Sequence, residues 1–202
     1  KAVGFTGSYL GGRQLFDWGN QRKEPIPVFS EMGSINPVFL MPEKLNTSAA
    51  EIAQQYAGSI TLGVGQFCTN PGLIIGIESE ALKTFVHDLG KAIQKTDPAP
   101  MLHSGIVSAY KKNKGNALLQ DDVHLVAESE TDVKKTAGLP TIATATGMAF
   151  LNNPVLHQEV FGPYSIIIRC KDMNEMIAVA KNLEGQLTAT LMATDNEIKQ
   201  ND

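Results

Sequence analysis

One of the two cysteines of the chain, Cys68, lies in a segment whose residue types suit covalent catalysis. Residues 63–72 read GVGQFCTNPG. Glycines allow a substrate to approach the backbone, and the N–H groups of a turn can face an oxyanion. A thiolate in such a place attacks carbonyl carbons, which makes Cys68 a candidate nucleophile. The alternative is a packed thiol, because free cysteine is among the most buried residue types.

Two glutamates lie where a carboxylate can take part in chemistry. Glu31 follows a predicted strand and precedes Met32, Gly33 and Ser34. A carboxylate at a strand end serves as a general base when it is partly desolvated; otherwise it is a solvated loop residue. Glu159 comes just before the most hydrophobic strand. It can accept hydrogen bonds from a sugar diol, as acidic groups do in dinucleotide sites, or it can cap a turn.

A third candidate site is the pair Gly7 and Ser8, which follows the first predicted strand and opens a helix. Backbone N–H groups at such a helix start can bind a phosphate, although a glycine there often marks only a sharp turn. The four histidines have no metal-ligand spacing with each other or with the cysteines, so no metal site is expected. The sequence also lacks a Walker A loop and a serine-hydrolase elbow.

The composition excludes several classes of protein. The 202 residues are 43% hydrophobic and 19% charged, which is ordinary for a globular protein. A net charge of −4 without a basic stripe argues against a nucleic-acid partner. The longest apolar runs are only strand-length, so no membrane span is expected. No signal peptide is apparent, and we therefore expect a cytoplasmic protein in which Cys68 and Cys170 are free thiols.

Strand and helix patterns alternate along the chain. Strands are predicted near residues 2–6, 28–30, 38–41, 73–77, 123–127, 166–168 and 187–192. Helices are predicted over 9–20 and 82–93, around 106–110, and from two capping boxes that begin at Ser48 and Asp172. The Thr/Ala-rich stretch before residue 148 carries no clear pattern. This alternation predicts an α/β fold with a largely parallel open sheet and helices on both faces.

In their order along the chain, four motifs resemble the aldehyde dehydrogenase superfamily. They are FTGS at residues 5–8, EMGSINP at 31–37, GQFCT at 65–69 and EVFGP at 159–163. The spacings from Glu31 to Cys68 and from Cys68 to Glu159 also fit that family. The second and third motifs are most similar to the α-ketoglutaric semialdehyde (2,5-dioxovalerate) dehydrogenases, and the NADP-dependent fatty aldehyde dehydrogenases are similar at the same places. Gly33-Ser34-Ile35 departs from the common Gly-Gly-Lys, and Gln158 replaces a frequent acidic residue.

The resemblance implies roles for individual residues. Cys68 attacks the aldehyde to form a thiohemiacetal, hydride transfer to a nicotinamide leaves a thioester, and Glu31 activates the water that releases the acid. Glu159 is similar to the residue that binds the nicotinamide ribose, and Phe161 to the residue that packs beside the nicotinamide. The remaining cofactor contacts implied by the resemblance are Gly7, Ser8, Gly12 and Met32. The implied cofactor is NADP, with NAD as the alternative, and no metal takes part.

The resemblance also implies how the chain is organised. Residues 1–32 correspond to the last strand–helix–strand part of a Rossmann-like cofactor domain, and residues 33–202 to a catalytic domain truncated at both ends. We expect the full-length protein to be a homo-oligomer acting on a small aldehyde. The isolated fragment is expected to be inactive or esterase-like, because hydride transfer requires a positioned cofactor.

Overall fold

The chain divides into two compact units. The computed structural model describes residues 1–131 and 136–200. The first unit is Lys1–Ser34, and the second begins at Ile35. This division lies two residues from the predicted boundary. The assignment of the first unit to a cofactor-binding domain stays a prediction.

The first unit is a single strand–helix–strand motif. Its elements are β1 (Val3–Thr6), α1 (Tyr9–Gln21) and β2 (Val28–Glu31). The two strands pair in parallel, with Val3 opposite Val28 and Thr6 opposite Glu31. Ser8 begins the helix, because its Oγ accepts a hydrogen bond from the N–H of Gly11 at 3.3 Å. A parallel pair requires such a crossover connection.

A six-stranded sheet organises the second unit. Its strands and the short β5–β7 pair are β3 (Pro37–Leu40), β4 (Leu73–Ile77), β5 (Ala99–Pro100), β6 (His124–Glu128), β7 (Ala137–Gly138), β8 (Thr141–Thr146), β9 (Tyr164–Cys170) and β10 (Thr190–Met192). The strand order in the sheet is β10-β3-β4-β9-β8-β6. Every pairing in it is parallel except that of β6 with β8. The prediction of a largely parallel sheet is therefore confirmed.

Helices cover both faces of this sheet. They are α2 (Pro42–Thr61), α3 (Glu80–Gln94), α4 (Ser104–Leu118), α5 (Gly147–Asn152), α6 (Met173–Asn182) and α7 (Asp195–Gln200), with 3₁₀ turns at Leu62–Gly65 and Pro154–His157. Ile74 and Ile167 face the core under α2 and α3. Ile75 and Ile168, one residue further along each strand, face the core under α4, α5 and α6. Successive side chains of a strand point to opposite faces, so β4 and β9 are apolar throughout.

The two predicted capping boxes have different outcomes. Asp172 caps α6, with its Oδ1 accepting a hydrogen bond from the N–H of Glu175 at 2.9 Å. Ser48 lies inside α2, which begins at Pro42, a residue type favoured in the first turn. Its non-helical angles, φ −143° and ψ 21°, mark a kink where two helical segments meet. The second segment therefore begins at Ser48 as predicted, and the segment before it was not predicted.

The Thr/Ala-rich stretch forms β8, a strand that the sequence pattern did not indicate. Thr141 and Ile142 are fully buried. Partners on both sides, β9 and β6, hold β8 in the sheet. Its conformation therefore depends on neighbouring strands more than on its own residues. Within the described part of the chain, no helix is both long enough and apolar enough to cross a bilayer.

A matched pair of leucines tests this description of the core. Leu89 on α3 is fully buried, whereas Leu119 after α4 is 84% exposed. We expect Leu89→Ala to lower the free energy of unfolding by about 2–5 kcal/mol, because it leaves a cavity. Leu119→Ala is expected to change it by no more than about 0.5 kcal/mol. Denaturant unfolding followed by circular dichroism measures both, and equal effects would contradict the burial described here.

Candidate active site

The two thiols lie in opposite environments. Cys170 is buried in β9, and Cys68 is exposed in the loop between the 3₁₀ turn Leu62–Gly65 and β4. Burial, together with the charges of Glu175 and Asp172, raises the pKa of the Cys170 thiol to about 12. A thiol can be either a candidate nucleophile or a packed core residue, and Cys170 is therefore the packed one. Cys68 is the thiol that a substrate can reach.

The turn that leads into the Cys68 loop has an unusual backbone. Gly63, Val64 and Gly65 have successive φ values of 54°, 60° and 63°. Only glycine adopts this left-handed region without strain, and a β-branched residue there is rare. A Cβ on Gly65 would collide with the backbone carbonyl of Gly162. The glycine thus lets the Cys68 loop lie directly against the segment that precedes β9.

Hydrogen bonds hold the Cys68 loop from several sides. Asn70 donates from Nδ2 to the carbonyl of Gly162 at 3.2 Å. Asn36 donates from its Nδ2 to the carbonyls of Cys68 and Asn70, both at 2.9 Å. On the other side, Gln66 accepts from the N–H of Leu102 through Oε1 at 2.9 Å. An exposed loop with this many tertiary hydrogen bonds has a defined conformation.

The backbone N–H of Cys68 is available to a ligand. Across residues 1–131 and 136–200 it donates no hydrogen bond. An N–H adjacent to a nucleophilic thiol is positioned to stabilise the negative oxygen that forms when the thiol adds to a carbonyl. Cys68 therefore presents both an exposed thiol and an N–H that has no acceptor among the described residues.

The Glu159 motif meets the Cys68 loop through Gly162. Glu159 and Phe161 are partly buried and lie between the 3₁₀ turn Pro154–His157 and β9. Gly162 has φ 149°, and a Cβ there would collide with the ring of Tyr110 on α4. The hydroxyl of Tyr110 in turn donates to the carbonyl of Leu139 at 2.6 Å. The structure thus brings the third and fourth motifs together within one unit.

The candidate residues of the first unit also lie close to one another. Gly7 donates from its N–H to the carbonyl of Glu31 at 3.0 Å, at the carboxyl ends of β1 and β2. The side chain of Glu31 is exposed. Gly12 is buried, and a Cβ there would lie 2.6 Å from Cγ of Met32. The contact of Gly12 with Met32 therefore sets how closely α1 approaches the end of β2.

The site residues of the second unit lie at the opposite end of their strands. Asn36 precedes β3, the Cys68 loop precedes β4, and Gly162 precedes β9. In many open parallel sheets, ligands bind at the carboxyl ends instead, as Gly7 and Glu31 would in the first unit. The described residues contain no group of three or more His, Cys, Asp or Glu side chains able to hold a metal ion.

Asn36 and Tyr110 were not identified as site residues from the sequence. Asn36 was noted only as part of a motif, and Tyr110 only as a helix residue. Their contacts with the site link residues far apart in the chain, and no local pattern signals such contacts. The one available signal was the position of Asn36 directly before Pro37, which favours a turn.

Comparisons with known proteins agree with the motifs. The chain matches the model of the aldehyde dehydrogenase family over residues 1–200. It is 43% identical over 194 residues to alpha-ketoglutaric semialdehyde dehydrogenase 2 of Azospirillum brasilense, covering 95% of this chain and 36% of that protein. It is 39% identical over 201 residues to alpha-ketoglutaric semialdehyde dehydrogenase of Acinetobacter baylyi, covering 99% of this chain and 38% of that protein.

A solved structure shows the same fold at low identity. The NAD-dependent benzaldehyde dehydrogenase from Corynebacterium glutamicum superposes with a TM-score of 0.80 at 17% identity, over 100% of this chain and 44% of that one. The chain thus spans between 36% and 44% of the length of these three relatives. Since the family model covers residues 1–200, the chain belongs to the aldehyde dehydrogenase family.

Proposed function

We propose that this chain carries the nucleophile and the general base of an enzyme that oxidises an aldehyde to a carboxylic acid with a nicotinamide cofactor. The proposed substrate is α-ketoglutaric semialdehyde, which would yield 2-oxoglutarate. The observation that carries the proposal is the exposed Cys68 on its anchored loop. The choice of substrate is supported by the identity of 43% and 39% to two enzymes named for that aldehyde.

The first step uses Cys68. Its thiolate forms a bond to the aldehyde carbon, and the carbonyl electron pair moves to oxygen to give the oxyanion of a thiohemiacetal. The Cys68 N–H, which donates to no protein acceptor in the described residues, would stabilise that oxyanion. A nicotinamide, when bound, accepts the hydride that leaves this carbon, and a thioester on Cys68 remains.

The second step uses Glu31. Its carboxylate would take a proton from water, so that the oxygen adds to the thioester carbon. The carbon–sulfur bond then breaks, the carboxylic acid leaves, and the Cys68 thiolate is restored. The assignment of Glu31 is supported by its place in the second motif and by its exposed side chain at the end of β2.

The residues of the first unit fit part of a dinucleotide. The first N–H groups of a helix have no partner within the helix and attract anions, and Gly7 and Ser8 precede α1 directly. The turn of Gly7 and Ser8 would place a phosphate against those first N–H groups of α1, and Gly12 with Met32 would set the position of α1 beside it. Glu159 and Phe161 would contact the nicotinamide ribose and ring. NADP is the favoured cofactor on resemblance, with NAD as the alternative; the homo-oligomeric state and cytoplasmic location stay predictions.

Turnover by the full-length protein tests the two catalytic assignments. With α-ketoglutaric semialdehyde and either NADP or NAD, we expect Cys68→Ser to lower kcat at least about a thousandfold, because the nucleophile is lost. Glu31→Gln is expected to slow steady turnover about a hundredfold or more while it retains a first-turnover burst of reduced cofactor, because hydride transfer precedes its step. Absorbance of the reduced nicotinamide in stopped flow measures both.

The control for this experiment is Cys170→Ala, which removes the other thiol and is expected to keep its turnover. Undiminished turnover of Cys68→Ser would contradict the proposed nucleophile. A Glu31→Gln variant that loses the burst would contradict the role of Glu31 in the second step. Faster oxidation of a long-chain aldehyde than of the semialdehyde would overturn the proposed substrate and leave the mechanism in place.

Alkylation tests the accessible thiol without any substrate. At about pH 8, we expect iodoacetamide to modify Cys68 and to leave Cys170 unmodified, because the thiolate is the reactive form. The pKa of Cys170 is raised to about 12, so its thiol stays protonated until the pH approaches that value. Peptide mass spectrometry measures the two rates, with guanidinium-unfolded protein as the control that labels both. Equal rates in the folded protein would contradict the assignment.

A further inference from the structure

The side chain of Asn36 bonds to two backbone carbonyls of the Cys68 loop. Its side chain is buried, with 3% exposure. Both of its Nδ2 contacts, to the carbonyls of Cys68 and Asn70, are 2.9 Å long and lie on either side of Thr69. Each N–H of the amide can therefore serve one carbonyl. The result is a bridge that fixes the backbone immediately after the nucleophile.

The orientation of this amide is fixed by its partners. Oδ1 of Asn36 accepts a hydrogen bond from Oγ1 of Thr188 at 3.0 Å. If the amide were rotated, its oxygen would lie against the two carbonyls and its nitrogen against the Thr188 hydroxyl. Both hydrogen bonds to the carbonyls would then be lost. Asn36 is thus a double donor toward the Cys68 loop and an acceptor toward Thr188.

The backbone of Asn36 suits an asparagine. Its φ of 46° lies in the left-handed region, which asparagine adopts more readily than most residues with a Cβ. From the segment before β10, Gln186 holds this turn through Oε1, which accepts from the N–H of Ile35 at 2.8 Å and of Asn36 at 3.3 Å. Gln186 therefore holds the backbone of the turn at Asn36, while the side-chain amide of Asn36 holds the Cys68 loop.

The side chain of Cys68 is not fixed by burial. Cys68 is exposed, and so is the neighbouring Phe67, at 47%. The position of the thiol therefore depends on hydrogen bonds to the backbone of the loop. Small displacements of a reacting atom lower rates strongly, because a near-attack geometry is needed.

We propose that Asn36 is a positioning residue for Cys68, and that the hydrogen bond from the Thr188 hydroxyl keeps the Asn36 amide in its orientation. Its amide holds the carbonyls of residues 68 and 70, so that the thiol and the Cys68 N–H keep one relation to each other when an aldehyde arrives. The proposal rests on the proposed function and assigns Asn36 no contact with substrate. It predicts that changes at Asn36 alter the reactivity of Cys68 itself.

The test uses the full-length protein and two readouts, the rate constant of Cys68 alkylation by iodoacetamide and kcat with α-ketoglutaric semialdehyde. Asn36→Gly keeps the left-handed turn and removes the amide, and Asn36→Asp keeps the shape and replaces the donors by oxygen. We expect both variants to lower both readouts by about tenfold to a hundredfold, with KM for the cofactor changed no more than about twofold. Asn113→Asp, an exposed change of the same kind on α4, is expected to alter neither.

Thr188 supplies the second pair of variants and avoids the buried position. Thr188→Val removes the hydroxyl at nearly constant shape and is expected to lower both readouts about twofold to tenfold, as the loss of one hydrogen bond would. Thr188→Ser keeps the hydroxyl and is expected to restore them. This pair of variants tests whether Asn36 positions Cys68 even when a variant of Asn36 itself fails to fold.

Two results would overturn the positioning role. The first is that Asn36→Gly or Thr188→Val has the same alkylation rate constant and the same kcat as the wild-type protein, whether or not its melting temperature is lower. A purely structural role predicts that pattern. The other is an equal loss in Thr188→Val and Thr188→Ser. A wild-type protein that oxidises no aldehyde would refute the proposed function instead, and the alkylation series would still test the role of Asn36.

Discussion

The parallel pairing of β4 with β9 is the constraint on which the candidate site depends. The two strands are in register from Leu73 opposite Ile166 onward, and the N–H of Ile166 donates to the carbonyl of Gly72 at 3.0 Å. Parallel strands in register have their incoming loops at the same edge of the sheet. The loop of Cys68 and the segment of Gly162 therefore meet, although nearly half of the chain separates them. Burial of apolar side chains on both faces stabilises this pairing.

The same edge shows how an exposed thiol can still be held in place. A thiol that must meet substrate cannot be packed like Cys170, so its loop needs attachments other than apolar contacts. Neutral amides supply them. Asn36 donates to carbonyls of the loop, whereas Asn70 and Gln66, within the loop, bond outward to the carbonyl of Gly162 and the N–H of Leu102. A neutral amide is less costly to bury than a charge and satisfies backbone groups that would otherwise lose solvent. The amides also leave the N–H of Cys68 uncommitted.

Local signals in the sequence predicted the helices α3 and α6 and the strands β4 and β9, because the period of apolar residues and the caps act within a few positions. They failed for β8, whose threonines and alanines form a strand only between two partners. They also missed the first segment of α2, which begins at Pro42 and ends at the kink at Ser48. In the site, Cys68 and its motif stood out by residue type. The contacts of Asn36 did not, because its partner carbonyls lie 32 and 34 residues away.

Val64 shows why the turn before Cys68 is not made of glycine alone. Its left-handed φ costs on the order of 1–3 kcal/mol for a residue with a Cβ, and a glycine would avoid that strain. A glycine would also lack a side chain, whereas that of Val64 packs on the core beneath α4–α6, and its Cγ1 lies against Gly138 in β7. Gly65 lets the backbone approach Gly162, and Val64 anchors the same turn in the core. Strain at this one residue is therefore offset by packing that anchors the exposed Cys68 loop.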